Sequence, residues 1–235
     1  MSIKPALYAA KVSPLLTDPA LFAQAYAVVP SQRQEKADRY RRREDAALSL
    51  GVELLLRHAH RQEGLPVPHF YITHNYGKPF AGGEMAFSLS HSGAWALCAV
   101  GGYGNRGDDV GCDVEKIDPA HVESAARAFT ASEQAFLNAA ANEEERVHRF
   151  FRVWTLKESY AKATSCECAL YPSEFSVTPG VLHAVPSAPA ATCREYDDIP
   201  GYACAMCRLH GGELPSLQVV DLRAVLQDEK NEVNA

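Results

Sequence analysis

The stretch FFRVWTLKESYAKATS, residues 150–165, organises our interpretation of the chain. It contains no glycine or proline, and its apolar residues recur at the spacing of an amphipathic helix. Glu158 follows Trp154 by four residues and precedes Lys162 by four, so the three side chains are expected on one side of that helix. A Glu158 carboxylate between the indole of Trp154 and the ammonium group of Lys162 would be partly desolvated and fixed in position. The simpler alternative is a solvated Glu–Lys pair.

Composition is that of an ordinary soluble globular protein. The chain has 235 residues, of which 47% are hydrophobic and 22% charged, enough for one large domain or two smaller ones. No apolar run approaches the roughly 20 residues of a membrane helix, and Lys11 and Pro14 interrupt any signal peptide. We therefore expect a cytoplasmic protein without membrane partners, whose seven cysteines are reduced thiols. The net charge of −6 argues against nucleic acid as a partner.

Positive charge is nevertheless concentrated in one segment, residues 33–43, which holds six arginine and lysine residues. The pattern predicts a long helix over residues 32–61, with a core stripe at helical spacing. Arg42 and Ser49 are expected on one flank of that stripe. Arginines and a hydroxyl on one flank suit a phosphate group, whereas the alternative is a solvated basic helix.

Two strands and two turns are predicted in the first half of the chain. Alternation over residues 87–100 predicts a pair of strands, interrupted at Ser92 and Gly93. The resulting Ser-His-Ser-Gly sequence places several hydrogen-bonding groups at one turn. Upstream, Gly77-Lys78-Pro79 predicts a turn that presents a lysine at the surface.

The acids of the second half begin on a strand predicted over residues 110–116. Asp113 and Glu115 are two apart, so their carboxylates are expected on the same face. Such a pair repels itself unless a cation lies between the two groups, and oxygen ligands of this kind suit Mg²⁺.

A helix is predicted next, over residues 122–140, with Thr130, Ser132 or Asp118 available as its cap. It carries Glu133, which we expect to be a solvated surface acid.

The C-terminal part is predicted to add a strand over residues 201–209, a strand or helix over 217–226 and a disordered tail over 227–235. Cys204 and Cys207 are three apart on that strand and would face opposite sides, so they are not expected to share a metal. A faint internal echo, FSLSHSG then AWALCAV against FSVTPG then GYACAMC, suggests two related halves with one composite site between them.

Two stretches resemble the bipartite signature of the 4′-phosphopantetheinyl transferases. They are Val110-Gly111-Cys112-Asp113 and, after forty intervening residues, WTLKESYAK at residues 154–162. The long, single-chain Sfp-type class is the most similar. Three further marks fit that class, namely Glu44-Asp45-Ala46 in the basic helix, the Gly-Lys-Pro turn at 77–79 and FSLSHSG at 87–93.

This resemblance implies an α+β fold of two similar halves in pseudo-twofold arrangement, with the active site in the cleft between them. The halves would be residues 1–108, which contact coenzyme A, and residues 109–226, which carry the metal site and catalytic helix. Cys112 departs from the usual aliphatic residue and is expected to alter strand packing and leave the chemistry unchanged.

The resemblance also implies roles for individual residues. It places Mg²⁺ on Asp113, Glu115 and Glu158, and the adenine next to Lys78 and Pro79. It places the 3′-phosphate near Arg33, Lys36, Arg42, Ser49, Ser90 and His91, and the pyrophosphate near Lys157 and Lys162. Arg33 stands where relatives often have lysine.

The implied reaction moves 4′-phosphopantetheine from coenzyme A to a serine of an apo acyl, peptidyl or aryl carrier protein, with release of 3′,5′-ADP. A monomeric enzyme serving nonribosomal peptide or polyketide synthases is expected. Glu158 is the favoured base, and Glu133 acting through water is the alternative. Two other classes are weighed: a metal-dependent nuclease, disfavoured by the acidic balance, and a non-catalytic carrier-binding module, disfavoured by the clustered acids.

Overall fold

The structure, a computed structural model, describes residues 3–68, 72–73, 79–80, 85–102, 110–164, 175–178, 181–183, 190–209 and 211–233. The helices are α1 Ser13–Thr17, α2 Pro19–Val28, α3 Ser31–Asp38, α4 Arg43–Gln62, α5 Val122–Ala126, α6 Ala131–Asn138, α7 Glu143–Thr164 and α8 Leu222–Val233, with a 3₁₀ turn at Pro119–His121. The strands are β1 Ala6–Lys11, β2 Ile72–Thr73, β3 Pro79–Phe80, β4 Ala86–Ser92, β5 Trp95–Gly101, β6 Val110–Lys116, β7 Ser176–Thr178, β8 Val181–His183, β9 Ala191–Tyr196, β10 Tyr202–Leu209 and β11 Leu217–Val219. The predicted α+β class is confirmed. None of the described helices has the length and apolar character needed to cross a membrane.

The first sheet has the strand order β11-β1-β5-β4, and α4 packs against it. Strands β4 and β5 form the predicted hairpin, with Gly93 in its turn at a φ of 57°, a left-handed conformation that glycine adopts without strain. The predicted core stripe of α4 is buried, including Val52 and Leu55. This helix therefore forms where its apolar period of 3.6 residues meets the sheet.

The basic segment is not one helix, which corrects the prediction for residues 32–61. Helix α3 ends at Asp38, and Arg42 adopts an extended conformation as the residue before α4. Glu44 and Asp45 occupy the first turn of α4, where carboxylates interact favourably with the positive end of a helix. A new helix N-terminus is thus stabilised at this point.

The second sheet has the order β6-β10-β9, and α7 lies across it. The helix lies directly on β6 at Gly111, where an added Cβ would overlap the Ser159 carbonyl oxygen and the Ala163 nitrogen. Glycine is required there by the close approach of the two backbones. Because α7 is held at this distance, Glu158 and Lys162 lie beside the acidic end of β6.

Residues 122–140 form two helices, α5 and α6, in place of the single helix predicted. Thr130 is the cap of α6, as the sequence allowed, and it forms a reciprocal capping box with Glu133. The capping box begins a helix at this position, which explains the interruption after α5.

The C-terminal tail predicted to be disordered is helical as far as Val233. Glu229, in α8, is buried and accepts a two-pronged hydrogen bond from Arg57 of α4, at 2.6 and 2.7 Å. Strand β11 pairs in parallel with β1. Residues 217–233 therefore pack with the first half, which corrects the end of the predicted second half; the remaining division into halves stays a prediction.

The cysteines correct a further expectation. Cys193 of β9 and Cys207 of β10 are opposite each other in the sheet and form a disulfide, so these two are not reduced thiols. Cys98, Cys112 and Cys204 are free and buried. The pair Cys166 and Cys168 lies outside the described residues.

The edges of the two sheets meet along β4 and β6. A shared hydrophobic core fills the space between them, with Leu97 and Ala99 from the first sheet and Val114 and Met206 from the second. Tyr202 strengthens the junction, because its hydroxyl accepts a hydrogen bond from the Ala94 backbone across the seam at 3.0 Å. The candidate site lies along this seam.

Candidate active site

Asp113 is the most deeply placed acid of the site. Its side chain is 3% exposed, and Oδ1 accepts hydrogen bonds from Lys162 Nζ at 2.6 Å and from Ser90 Oγ at 2.7 Å. Its other oxygen, Oδ2, is buried and has no hydrogen-bond partner among the described residues. A buried carboxylate oxygen without a partner is costly, and a bound cation would satisfy it.

Glu115 and Glu158 share the electrostatic environment of Asp113. Burial raises the pKa of Glu115, and the charges of Asp113 and Glu158 raise it further, while Ser92 and Lys162 oppose the shift. Burial likewise raises the pKa of Glu158, where Lys162 opposes the shift and Asp113 adds to it. Glu115 and Glu158 therefore both lie close enough to Asp113 for its charge to disfavour their ionisation.

Lys162 is the cation within this group. Burial alone would lower its pKa, but the neighbouring acids, Asp113 first among them, leave the pKa raised above its usual value. Its ammonium group bonds to Asp113 and is not simply part of a solvated pair with Glu158. The solvated alternative for the central helix is thus excluded.

The donors suit a hard divalent cation, although the side chains are not already arranged around one. Within the described ranges, no three His, Cys, Asp or Glu side chains form a ready metal site. Three carboxylates with an unpartnered Asp113 oxygen are nevertheless the ligand type that Mg²⁺ prefers. The chemistry of the residues therefore fits the ion.

Lys157 and Glu133 form a separate buried pair, so the expectation of a surface acid at 133 is wrong. Lys157 Nζ donates to Glu133 Oε1 at 2.6 Å and to the Phe175 carbonyl oxygen at 2.5 Å. Glu133 also accepts from the backbone N–H groups of Val177 and Thr130, each at 2.8 Å. Burial lowers the pKa of Lys157, against the opposing charge of Glu133. The pair joins α6, α7 and β7.

Three basic groups lie on the first-half side of the seam. Arg33 is buried and donates to buried Glu53 at 3.1 Å. Lys36 has a pKa lowered by desolvation and by the charge of Arg33. His91 is exposed to solvent at its surface. Its pKa is lowered, first by desolvation from the surrounding protein and then by the charges of Lys36, Lys162 and Arg33. Arg33 and Lys36 therefore form a positive region beside His91, and the charge of Lys162 also reaches His91.

The other residues predicted to contact coenzyme A are not all part of this basic cluster. Arg42 is 73% exposed and lies 3.9 Å from Glu44. The Ser49 hydroxyl is fully buried in α4 and has no partner within the described ranges. Ser90 lies on Asp113. Lys78 lies outside the described residues, and only the backbone of Pro79 is described, in β3.

A cleft of about 380 Å³ lies beside Glu115. Trp154 lines it and stacks on Phe150, with 5.8 Å between ring centroids. Ser92 also lines the cleft and bonds Glu115, a contact that the sequence analysis did not predict. The alternate serines of FSLSHS were the available signal, because alternate residues of a strand share a face.

Comparison with known proteins shows the family of this chain. The model of the 4′-phosphopantetheinyl transferase superfamily matches residues 109–207, which include both acids of β6 and all of α7. The 4′-phosphopantetheinyl transferase gsp of Aneurinibacillus migulanus is 30% identical over 83% of this chain and 84% of its own. The 4′-phosphopantetheinyl transferase Sfp of Bacillus subtilis strain 168 is 30% identical over 77% of this chain and 83% of its own.

The chain therefore belongs to the 4′-phosphopantetheinyl transferases, in the long single-chain class of Sfp, and is an enzyme of that family. The resemblance predicted from the motifs is confirmed. A crystal structure of a holo-(acyl-carrier-protein) synthase from Bacillus anthracis in complex with CoA (3′,5′-ADP) covers 45% of this chain and 97% of its own at 14% identity. Its TM-score of 0.36 is too low to carry an inference about this chain.

Proposed function

We propose that this enzyme transfers the 4′-phosphopantetheine group of coenzyme A to a serine hydroxyl of an apo carrier protein, in a Mg²⁺-dependent reaction that releases 3′,5′-ADP. The observation that carries the proposal is the group of Asp113, Glu115 and Glu158 around Lys162, next to the basic cluster of the other half. Relatives named 4′-phosphopantetheinyl transferases support the general reaction.

Asp113 Oδ2, Glu115 and Glu158 would hold Mg²⁺. The bound ion supplies charge neutralisation for the pyrophosphate of coenzyme A. Lys162 keeps Asp113 oriented through Oδ1, and its charge favours a phosphate oxygen next to the acids. The chain thus offers both an anionic ligand set and a fixed cation within one small volume.

In this proposal Glu158 takes the proton of the attacking serine. The serine oxygen forms a bond to the β-phosphorus of coenzyme A. The bond from this phosphorus to the bridging oxygen of the pyrophosphate breaks, and 3′,5′-ADP leaves. Burial raises the pKa of this carboxylate in the protein without a bound ion, and a carboxylate held beside Asp113 and Lys162 suits the role of a base. Glu133 is fully buried with its oxygens bonded to Lys157, Val177 and Thr130, so we assign it to holding α7.

The 3′-phosphate of coenzyme A fits the basic cluster of Arg33, Lys36 and His91, with Arg42 at the exposed rim. Ser90, which bonds Asp113, and Lys157, which bonds Glu133, would support the site from behind. Ser49, Lys78 and Pro79 keep their proposed places near the 3′-phosphate and adenine.

The acceptors proposed are carrier proteins or carrier domains of nonribosomal peptide and polyketide synthases. A carrier-binding module without activity would gain nothing from clustered acids such as buried Asp113 and half-buried Glu115, because burying them costs stability. A nuclease would leave the cluster around His91 without a role. The negative net charge of the chain also disfavours binding to nucleic acid.

The test is incubation with coenzyme A and an apo acyl, peptidyl or aryl carrier, with mass spectrometry of the carrier. We expect the mass of one phosphopantetheine group to be added with Mg²⁺ and not with EDTA, together with 3′,5′-ADP in equal amount. A parallel incubation with DNA and RNA covers the nuclease alternative. Binding of carrier without any mass change, at all Mg²⁺ concentrations, would contradict the proposal.

A further inference from the structure

Three serines occupy alternate positions of β4, at the edge that faces β6. They are Ser88, Ser90 and Ser92, and each accepts a hydrogen bond from a backbone N–H of β6, belonging to Cys112 at 3.1 Å, Val114 at 3.4 Å and Lys116 at 3.1 Å. We refer to these contacts as the serine ladder. The two sheets are therefore joined at this seam by side-chain hydroxyls in addition to apolar packing.

The ladder follows from strand geometry. Alternate residues of β6 point their N–H groups to the same edge of the strand. The intervening residues, such as Asp113 and Glu115, point theirs toward β10, the strand with which β6 pairs on its other side. The N–H groups at the free edge would otherwise lack acceptors. Because side chains of a strand also alternate, every second residue of β4 meets every second residue of β6.

Two rungs of the ladder also contact the acids. A hydroxyl can accept and donate at once, and Ser90 Oγ donates to Asp113 Oδ1 while Ser92 Oγ donates to Glu115 Oε2, each at 2.7 Å. Ser88 differs, since its hydroxyl accepts from Cys112 but contacts neither acid. The first half of the chain thus orients carboxylates that belong to the second half.

We infer that Ser92 is a positioning residue for Glu115: its hydroxyl, fixed by the Lys116 backbone, holds the carboxylate in the orientation that binds the divalent cation. This inference rests on the proposed function. Ser90 holds Asp113 in the same way, but Lys162 bonds the same oxygen and partly duplicates that contact. For Glu115, Ser92 is the side-chain hydrogen-bond donor found among the described residues, so within that part of the chain one hydroxyl orients the carboxylate.

The experiment measures Mn²⁺ binding by electron paramagnetic resonance, with and without coenzyme A and without carrier, so that no turnover occurs. Ser92→Ala is expected to bind Mn²⁺ about 10- to 100-fold more weakly than wild type, as for other partners that orient metal ligands. Ser92→Thr keeps the hydroxyl and is expected to restore binding. Ser88→Ala is the matched control, because it loses the same type of backbone contact and no carboxylate contact.

Thermal denaturation separates positioning from structure. Ser88→Ala and Ser92→Ala are expected to lower Tm by similar small amounts, about 2–4 °C, whereas only Ser92→Ala loses Mn²⁺. Equal Mn²⁺ affinity in Ser92→Ala and wild type, or equal losses in both alanine variants, overturns the inference. Asp113→Asn distinguishes the two levels: if it also binds Mn²⁺ as wild type does, the proposed metal site fails along with the inference.

Discussion

Asp113 combines repulsion and attraction in one side chain. If Glu115 were its only charged neighbour, the Asp113 carboxylate would be repelled, and removing it would stabilise the protein. The structure adds Lys162, whose ammonium group lies 2.6 Å from Asp113 Oδ1 in a largely buried position. Because of this attraction, removal of Asp113 is expected to destabilise the protein. The ammonium group of Lys162 would lose its partner but keep its desolvation cost.

We expect Asp113→Ala to abolish Mg²⁺-dependent transfer and to lower the free energy of unfolding by about 1–3 kcal/mol, since Lys162 loses its charged acceptor. Urea denaturation and a carrier mass assay measure the two effects. Asp198→Asn changes an exposed acid and is the control for both. Transfer near the wild-type rate, or a gain in stability, would contradict the assignment of Asp113.

Glu158 and Glu133 are separated by their environments. Glu158→Gln removes the base and is expected to lower transfer about 10²–10⁴-fold at any Mg²⁺ concentration. Glu133→Gln removes the charge that balances Lys157 and is expected to cost about 3 kcal/mol of stability, with a rate per folded molecule well above that of Glu158→Gln. Rates over a Mg²⁺ series, corrected for the folded fraction, measure both. Recovery of Glu158→Gln at high Mg²⁺, with Glu133→Gln remaining slow, would transfer the base to Glu133.

Among the helices, α8 shows how a polar terminal segment becomes ordered. Leu222, Val225 and Leu226 of this helix are buried in the first hydrophobic core. The pairing of Glu229 with Arg57 and Arg61 of α4 makes the burial of this acid favourable as well. Burial alone would raise the pKa of Glu229, but the two arginines hold it below its usual value.

A lowered pKa means that the pair contributes stability above the usual pKa of 4.5 and loses it as pH falls through the lowered value. Glu229→Gln is expected to cost about 3 kcal/mol at neutral pH and to reduce the loss of stability on acidification below pH 4.5. Denaturation curves over a pH series measure both effects. Asp228→Asn, at an exposed position of the same helix, is the control. Identical pH dependence in Glu229→Gln and wild type would refute the pairing.

At the scale of the molecule, the site exists only where the two sheets meet. Lys36 belongs to α3, His91 to β4 and Lys162 to α7, yet the charges of Lys36 and Lys162 both act on His91 at the seam. A ligand that contacts all of them must lie between the halves. A molecule with a 3′-phosphate on one side of this span and a pyrophosphate on the other matches coenzyme A in the proposed reaction.

If this region holds the 3′-phosphate, wild type is expected to prefer coenzyme A over 3′-dephospho-coenzyme A. Arg42→Ala is expected to reduce that preference by about 10- to 100-fold, the value of one charged contact. His91→Ala is expected to reduce it as well, because the imidazole no longer donates a hydrogen bond to the phosphate. Calorimetric titration with both ligands measures it. Arg43→Ala is the matched control, because Arg43 stacks over Phe22 at 4.2 Å. An unchanged preference in all variants would return these residues to a solvated basic surface.

The sequence by itself determined the elements whose signal lies within a few residues. The apolar periods of α4 and α7 and the alternation in β4 and β6 follow from neighbouring side chains, and the motifs at 110–113 and 154–162 identify the family. Those segments keep their predicted form because helix and strand periods act locally.

Only the tertiary structure decided which polar groups became partners. Glu133 pairs with Lys157 across 24 residues, Ser92 with Glu115 across 23 and Glu229 with Arg57 across 172. At such separations no local period relates the two residues. Each pair forms because burial makes an unpartnered polar group costly, and which groups are buried together depends on how the sheets and helices pack.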